Sequence, residues 1–349
     1  MNKLIVLALF NIPLAVCQEL HPPRAAVRNE LISLCQAYLP TRAVQAAVRL
    51  GIFDCIGTNA LDAHEIAQQL NLNEPCVERL LRILASHGLL EESSGRYRLT
   101  PKGVFLQSDT PDSLRDYAIA VDTLFWDSVR HLEYTIATGQ SAFENKYGAP
   151  FYDYLQAHPE TAQHFNAYMR SYSAGHNQLI VDHCPCLGSS QIIVDVGGGN
   201  GEFTKALLVR YPSMKGIVLD SAVFDNELPC ERFTRITGSF MTDMPRNADA
   251  YILKNVLIDW DDQSVINLLT TCKEAMSVGG SIFIIDSMIQ PGNEPTNGKD
   301  CDVLMMALLG HGQRSVTAIK DLLAQAGLRV LTTTAITHTD LTVIQAVAA

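Results

Sequence analysis

The sequence predicts an α/β protein in which a domain of alternating strands and helices follows a smaller helical domain. Three observations predict it. Apolar positions repeat three and four residues apart in the first part of the chain, short apolar runs alternate with helical segments from Gln191 onwards, and a glycine-rich loop follows the first of these runs. Such alternation indicates βαβ units that build a parallel sheet.

The composition is that of a globular protein with a sizeable core. The 349 residues are 47% hydrophobic and 18% charged, which is enough chain for two domains. The net charge of −11 argues against a nucleic-acid partner, because phosphate binding depends on clustered Lys and Arg. The nine cysteines show no zinc-site spacing, so we expect free thiols and no metal.

Residues 1–22 form an apolar leader or arm. The run from Leu4 to Cys17 follows one early lysine, and Ala15 and Cys17 are small enough for a signal-peptidase site. The run is too short for a membrane span of about 20 residues. A cleaved signal peptide and an arm that packs on a dimer partner both remain open, and we expect no stable membrane span.

Residues 23–113 predict a winged-helix-like domain. The stretch from Leu61 to Leu106 has the order helix, turn, helix, hairpin, with the residues from Pro75 to His87 as the second helix. Glu78 lies beside Arg79 on that helix, so it offers no basic face to DNA. We therefore interpret the domain as one used for packing and dimerisation.

Residues 114–184 are helical and rich in large aromatic and apolar side chains. Some of these side chains belong to the core, and others are suited to line a pocket for a flat organic substrate, since aromatic rings give a large contact area at little cost in entropy. The set is Phe125, Trp126, Phe143, Phe151, Tyr152, Phe165, Tyr168, Met169 and Tyr172.

Residues 185–349 carry the alternating pattern. Apolar runs at 192–196, 216–219, 250–253 and 281–285 predict strands, and the segments near 202–211, 263–277 and 315–326 predict helices. The final segment predicts two strands that close one edge of the sheet in antiparallel orientation.

The segment "IIVDVGGGNGEFTKALL" places a glycine loop between a buried strand and a helix. Gly197, Gly199 and Gly201 allow a sharp turn and close approach of a ligand to the backbone. The dinucleotide pattern fails because its last glycine position holds Glu202, and the phosphate-loop lysine is missing. With Asp195 before the loop, the acidic surroundings suit a cationic ligand and repel pyrophosphate.

Asp220 ends the next predicted strand, "GIVLD", twenty-five residues after Asp195. A carboxylate at this place accepts hydrogen bonds from ribose hydroxyls. Loop and acid together describe a pocket for a nucleoside that bears a positive charge and no phosphate. S-adenosylmethionine is such a ligand, although Asp220 as a turn cap and Asp195 as a structural acid remain alternatives.

Several segments in a fixed order carry a family resemblance: "AVQAAVRLGIFDCI", "VERLLRILASHGLLEE", "VDVGGGNG", "VLD", "GSFMTDMP", "DAYILKNVLIDWDD" and "DVLMMALLGHGQRSVTAIKDLLAQAGL". Over about residues 25–347 the chain resembles the class I S-adenosylmethionine-dependent O-methyltransferases of the plant caffeate and acetylserotonin type, with their bacterial and fungal relatives. The resemblance implies a Rossmann-like, seven-stranded methyltransferase domain preceded by a helical winged-helix dimerisation domain. It also implies a homodimer whose N-terminal helices help complete the partner's pocket.

The resemblance assigns two sets of site residues. Contact with the cofactor is implied for Gly197, Gly199, Asp220, Phe240 and Lys254, and the adenine-contacting segment has Ser239 in place of the more usual aspartate. The acceptor pocket is implied for Trp126, Phe165, Met169, Tyr172, Met305 and Leu308.

The family's general base is absent. Relatives read Leu-Lys-x-x-x-His-Asp-Trp, and this chain has Ile258 at the histidine position, with Asp286 and Gln313 where supporting carboxylates usually stand. Isoleucine accepts no proton at any pH. Candidate replacements are the adjacent Asp259, Asp286 itself, and His311 in the segment that faces the acceptor in relatives; other histidines in the chain are His131, His164 and His176.

Three functions remain open on this sequence. The first is O-methylation of an acidic phenol or carboxyl group on a small aromatic metabolite, with positioning as the dominant catalytic term. The second is a reaction without methyl transfer, pericyclic, dehydrating or hydroxylating, that retains the cofactor; the third is a non-catalytic protein. Because S-adenosylmethionine is an intracellular metabolite, we expect a cytoplasmic protein, with export after cleavage as the alternative.

Overall fold

The computed structural model describes residues 23–222, 230–337 and 339–349, and the predicted leader lies outside these ranges. The chain divides into two compact units between Val104 and Phe105. Within the described ranges, no helix is both long enough and apolar enough to cross a membrane. The eight cysteines in these ranges are free thiols.

The first unit consists of helices and one hairpin. Its helices are α1 (Arg24–Cys35), α2 (Tyr38–Arg49), α3 (Ile52–Ile56), α4 (Ala63–Leu70), α5 (Glu74–Ser86) and α6 (Pro101–Val104). Strands β1 (Leu90–Ser93) and β2 (Arg96–Leu99) pair antiparallel. Local sequence fixes the helix starts, because Asp62 and Glu65 form a capping box on α4 and Asn73 caps α5. The predicted order of helix, turn, helix and hairpin is confirmed.

Helix α1 exposes an apolar face. Val27, Leu31 and Leu34 lie on one side of the helix at a spacing of four and three residues, and they are 47%, 60% and 72% exposed. No residue of α1 is buried in this chain. Burial of such side chains is favourable, so this face is suited to a further protein surface.

The second unit starts with helices and continues with alternating strands and helices. Its helices are α7 (Arg115–Ala120), a π-helical turn (Val121–Phe125), α8 (Trp126–Val129), α9 (Leu132–Thr138), α10 (Ala142–Tyr147), α11 (Phe151–Ala157), α12 (Pro159–His183), a 3₁₀ turn (Pro185–Ser189), α13 (Glu202–Arg210), a 3₁₀ turn (Leu257–Asp259), α14 (Asp262–Ala275), α15 (Asn297–Leu309) and α16 (Val316–Gln325).

A seven-stranded sheet lies in this second unit, in the order β5-β4-β3-β6-β7-β9-β8. The strands are β3 (Ile192–Val196), β4 (Lys215–Asp220), β5 (Phe233–Thr237), β6 (Ala250–Lys254), β7 (Ser281–Ser287), β8 (Leu328–Ala335) and β9 (Leu341–Ala348). β3 to β7 are mutually parallel, and β9 pairs antiparallel with both β7 and β8. The prediction of a parallel sheet with an antiparallel edge is confirmed.

Both faces of the central strands are buried, which explains their uninterrupted apolar sequences. On one face, Tyr251 and Leu253 of β6 pack in a core with Leu268 of α14 and Ile319 of α16. On the other face, Ala250 and Ile252 pack in a core that includes Phe203 and Leu207 of α13.

The strand order places a ligand crevice. From β3 the chain proceeds to β4 on one side and reaches β6 on the other, so the winding direction changes between β3 and β6. Ligands of open α/β sheets bind outside the carboxyl ends of the strands at such a switch point. The residues that follow β3, β4, β6 and β7 are therefore those that decide function.

The loop after β3 requires glycine for both conformation and space. Gly201 has φ +77°, and a Cβ there would lie 2.6 Å from the Phe233 ring. We expect Gly201→Ala to lower the free energy of unfolding by about 2–4 kcal/mol, from left-handed backbone strain and overpacking together. The measurement is denaturant unfolding.

Gly139→Ala is the matched control, since Gly139 has φ +72° and a Cβ there would meet nothing within 4 Å. This variant should show only the backbone cost of about 1–2 kcal/mol. Equal losses for the two variants would contradict the packing argument.

Candidate active site

The glycine loop, residues 197–201, lies at the carboxyl end of β3. Gly197 has φ +68°, and its amide donates to the Leu219 carbonyl at 2.8 Å. A Cβ at Gly197 would lie 2.9 Å from the Val256 side chain. The amide of Gly199 donates to Asp220 Oδ2 at 2.8 Å, which ties the loop to the end of β4.

Asp195 lies beneath this loop and not on a solvent-facing rim. Its side chain is 1% exposed and accepts a hydrogen bond from Thr204 Oγ1 at 2.7 Å. A Cβ at Gly198 would lie 2.6 Å from the carboxylate carbon, so only glycine fits above it. Burial raises the pKa of Asp195 to about 6, against the Thr204 hydrogen bond and the Lys254 charge, which lower it. Asp195 therefore supports the loop from below.

Asp220, the predicted ribose acid, ends β4 with its carboxylate partly open. Oδ2 accepts from Gly199, and Oδ1 accepts from the Ala222 amide at 2.9 Å. A carboxylate has about four lone-pair sites, so both oxygens keep capacity for further donors such as hydroxyls.

The predicted adenine segment follows β5 as a tight turn. The Ser239 amide donates to Asp243 Oδ2 at 2.9 Å, and the Ser239 hydroxyl accepts from the Met241 amide at 3.2 Å. Phe240 packs edge-on against Trp260, with ring centroids 5.4 Å apart. The turn thus presents a half-buried aromatic ring beside the segment that follows β6.

Lys254 ends β6 among buried groups. Its ammonium donates to Ser173 Oγ on α12 at 3.0 Å. Burial lowers its pKa to about 8, while the carboxylates of Asp195 and Asp286 act to raise it. Sequence reasoning missed Ser173, because a serine inside a long helix carries no motif of its own.

An aromatic cavity lies next to this segment, within the second unit. Five of the six predicted acceptor residues line it, while Trp126 is not among the described residues that do. The lining consists of Tyr117, Phe125, Phe151, Tyr152, Phe165, Tyr168, Met169, Tyr172, Asn255, Ile258, Asp259, Ser287, Asn297, Asp300, Cys301, Leu304, Met305, Leu308, Leu309 and Gln313.

Ile258 faces this cavity from the 3₁₀ turn after β6 and is 7% exposed. Arg314 holds the turn in place. Its guanidinium donates to the carbonyls of Leu257 and Trp260, each at 2.6 Å, and to Asp262 at 2.8 Å. The backbone around Ile258 is therefore held by the hydrogen bonds from Arg314 to the neighbouring carbonyls, and a histidine side chain is not needed to position it.

Asp259 presents a carboxylate to the cavity. Its Oδ2 accepts from the Tyr152 hydroxyl at 2.7 Å. Burial raises the pKa of Asp259 to about 7, the Tyr152 hydrogen bond acts to lower it, and the negative charge of Asp286 raises it further. Tyr152, predicted only as core or pocket, is thereby the partner of a candidate base.

Asp286 lies behind the cavity wall and is 4% exposed. In the amide orientation that satisfies both groups, Gln313 Nε2 donates to Asp286 Oδ1 at 3.2 Å and to the Ser287 carbonyl at 2.6 Å. Burial raises the pKa of Asp286 to about 7, opposed by hydrogen bonds from Ser287 and Gln313 and by the charges of Arg314 and Lys254. Asp286 and Gln313, the positions where the family resemblance implies carboxylates that support a histidine, thus form a hydrogen bond with each other.

The candidate histidines lie elsewhere. His311 lines a second, open pocket with Asp261, Asp262 and Arg314. His131, His164 and His176 are likewise absent from the described lining of the aromatic cavity. The described residues also contain no group of His, Cys, Asp or Glu arranged to hold a metal ion.

The arrangement combines two parts. The first is a glycine loop beside Asp220, whose carboxylate can accept further hydrogen bonds. The second is an aromatic cavity that contains Asp259, a carboxyl group with a pKa of about 7. Asp259 is the cavity group whose pKa, about 7, allows it to accept a proton at neutral pH. Flat aromatic ligands fit between aromatic walls.

Comparison with known proteins agrees with this geometry. The family model of the O-methyltransferase domain matches residues 129–329, and that of the O-methyltransferase dimerisation domain matches residues 32–109. The chain is 31% identical to a phenazine O-methyltransferase of Lysobacter antibioticus, over 87% of this chain and 92% of the relative. It is 30% identical to the O-demethylpuromycin-O-methyltransferase of Streptomyces alboniger, over 88% and 86%.

A solved structure of similar form is a methyltransferase in calicheamicin biosynthesis with S-adenosylhomocysteine bound. It has a TM-score of 0.85 and 26% identity, and the match covers 94% of this chain and 100% of that chain. Since the matched O-methyltransferase domain spans more than half of the sequence, this chain belongs to the O-methyltransferase family.

Proposed function

We propose that this protein transfers the methyl group of S-adenosylmethionine to a phenolic hydroxyl of a flat aromatic metabolite. The observation that carries the proposal is the position of the segment after β6. Lys254, the last residue of β6, lies with the charges below the glycine loop, and Ile258 and Asp259 of the following segment line the aromatic cavity. One short segment thus joins a nucleoside-type site to an aromatic site.

The chain's residues fit S-adenosylmethionine. Gly197 lacks the Cβ that would collide with Val256, which keeps the loop surface open to close approach. Asp220 retains acceptor capacity for ribose hydroxyls, Phe240 offers a ring face for a base, and the loop contains no lysine or arginine for a phosphate. When bound, S-adenosylmethionine supplies an electrophilic methyl group on a sulfonium.

Of the two acceptor groups that the sequence leaves open, the cavity favours a phenol over a carboxyl group. A carboxylate would add a negative charge beside Asp259 in a partly buried site, where like charges repel strongly. The relatives named above act on a phenazine and on O-demethylpuromycin. That similarity supports a small-molecule acceptor from secondary metabolism.

In this proposal Asp259 takes the place of the missing histidine. Tyr152 occupies Oδ2, so Oδ1 is the atom that accepts the hydroxyl proton. Aromatic walls fix the plane of the acceptor and exclude water. Positioning contributes about 7–11 kcal/mol to such a transfer, whereas a general base contributes roughly 10²–10⁴-fold in rate. The loss of histidine therefore leaves the larger contribution in place.

The first test is turnover with labelled S-adenosylmethionine and phenols of graded acidity. We expect Asp259→Asn to lower kcat by about 10²–10⁴-fold with a weakly acidic phenol. The loss should shrink with a nitro-substituted phenol, which ionises without help. Wild-type kcat should rise with pH through about 7, where Asp259 loses its proton. Transfer to no phenol despite cofactor binding, or an undiminished rate in the variant, would contradict the proposal.

Tyr152→Phe separates a base from a structural residue. The Tyr152 hydroxyl favours the ionised form of Asp259 and so lowers its pKa. Without that hydrogen bond, the midpoint of the pH–rate profile should move to higher pH while the protein remains folded. An unchanged midpoint would remove Asp259 from the role of base.

The exposed face of α1 supports a homodimer, in which each copy covers the other's helix and helps complete its pocket. The double variant Leu31→Glu with Leu34→Glu places charge on the two most exposed leucines of that face. We expect it to be a monomer, because burying unpaired charges at an interface costs several kcal/mol. Light scattering coupled to size exclusion measures the mass.

Val209→Glu is the control, since Val209 is 83% exposed on α13 in the other unit. It should leave the mass unchanged. If the α1 variant retains the wild-type mass, this face is not the dimer interface.

A further inference from the structure

The aromatic cavity is acidic. Asp259 lines it from the turn after β6 and Asp300 lines it from the first turn of α15. Among the described lining residues there is no Lys, Arg or His. A cavity that is otherwise apolar and aromatic thus carries two carboxylates and no cation of its own.

Neither carboxylate has a cationic partner within the described part of the chain. Asp259 accepts from the neutral Tyr152 hydroxyl, and its pKa is shifted by burial, by that hydrogen bond and by the negative charge of Asp286. Asp300 forms no ion pair with any residue in those ranges. Its negative charge is felt by Tyr117, whose pKa is raised by burial first and then by Cys301 and Asp300.

Four basic residues adjoin the lining in sequence: Arg170, Lys254, Lys299 and Arg314. Arg170 is exposed on α12, and Lys299 donates to the carbonyls of Gly292 and Glu294. Lys254 donates to Ser173 and lies between Asp195 and Asp286. Arg314 is committed to two carbonyls and to Asp262. Within the described residues, none of these four cations forms an ion pair with Asp259 or Asp300.

Ring faces add to the negative potential of the two carboxylates. Tyr117 and Tyr172 are nearly parallel, 18° apart with centroids at 6.4 Å, and Tyr117 lies 5.3 Å from the Tyr168 ring. The faces of aromatic rings carry partial negative charge and attract cations. Tyr117 and Asp300 thus form a wall of the cavity that is favourable for a positive charge on a flat ligand.

We propose that the acceptor is a flat aromatic that carries a positively charged nitrogen, held by Asp300 and the Tyr117 ring, and that aromatic carboxylates are excluded. This inference rests on the proposed function for the identity of the site and adds the charge class of the substrate. Asp259, as the base, faces the acceptor hydroxyl, which leaves Asp300 as the specificity-determining residue. A cationic substituent also offsets the negative field that would otherwise hold the hydroxyl in its protonated form.

Binding of three matched probes tests the proposal without turnover. The probes are 6-(aminomethyl)-2-naphthol, 2-naphthol and 6-hydroxy-2-naphthoic acid, titrated calorimetrically into full-length protein saturated with S-adenosylhomocysteine. We expect the cationic probe to bind at least about tenfold more tightly than the acid, by complementarity of charge in a partly desolvated site. Because Asp300 is exposed at the cavity wall, Asp300→Asn should weaken the cationic probe by about three- to fivefold and leave 2-naphthol within about twofold.

Asp153→Asn is the matched control. It removes the same charge from an exposed position on α11 outside the cavity, so the order of the probes should not change. Equal or tighter binding of the acid, no binding of the cationic probe, or an Asp300→Asn profile identical to wild type would each overturn the inference. If the binding order holds but no naphthol is methylated, the proposed function fails while the charge preference stands.

Discussion

The Lys254 ammonium is a buried positive charge that acts on the pKa values of two buried carboxylates at the carboxyl ends of the central strands. Asp195 lies near the end of β3, Lys254 at the end of β6 and Asp286 near the end of β7. Strand β6 pairs with both β3 and β7. Burial shifts each pKa towards the neutral form, and each charge shifts its partners back. Asp195 supports the glycine loop and Asp286 lies behind the cavity wall. One cation therefore favours the ionised form of a carboxylate in each half of the site.

The hydrogen bonds of the residues around position 258 explain how the site tolerates isoleucine there. A histidine base needs carboxylates to orient its ring. At the two positions where the resemblance implies such carboxylates, Gln313 donates a hydrogen bond to Asp286. The turn itself is fixed by Arg314 through the carbonyls of Leu257 and Trp260. Removal of the base therefore leaves no unpaired donor or acceptor behind it, and an apolar side chain packs against the cavity without a penalty. The scaffold for positioning is preserved, and the proposed proton acceptor, Asp259, lies one residue further along the chain.

Much of the fold was predictable because the signals were local or periodic. The central strands have uninterrupted apolar sequences, since both faces are covered, and the glycine loop is required by positive φ and by close contact with Val256 and Asp195. Strand β5 was not named from the pattern, because "FTRIT" has only two apolar residues among five and forms an edge of the sheet. Edge strands carry weaker hydrophobic signals than central ones.

The site was predictable only where a motif carried it. Glycines, Asp220 and Lys254 have recognisable spacing, whereas Tyr152 bonds to a residue 107 positions away, a contact that no local pattern encodes. Trp126 shows the opposite case. It follows a π-helical turn whose last residue, Phe125, lines the cavity, whereas Trp126 does not. One extra residue in a helical turn rotates every following side chain, so register around residues 121–125 decides which aromatic faces the ligand.

The same carboxylates that select the acceptor also govern its chemistry. A negative cavity favours the protonated form of a bound phenol, which opposes the loss of the proton that methyl transfer requires. Three features act against this: the carboxylate of Asp259, with a pKa of about 7, is the proposed acceptor of the proton, the sulfonium of the cofactor brings one positive charge, and a cationic acceptor would bring another. One unit of pKa corresponds to about 1.4 kcal/mol. A charge that lowers the hydroxyl pKa by about two units therefore matches only the lower end of what a general base contributes, roughly 10²-fold. The preference for a charged substrate and the transfer of its proton thus both depend on the electrostatic field of the cavity. Without a histidine base, methyl transfer in this proposal relies on both effects.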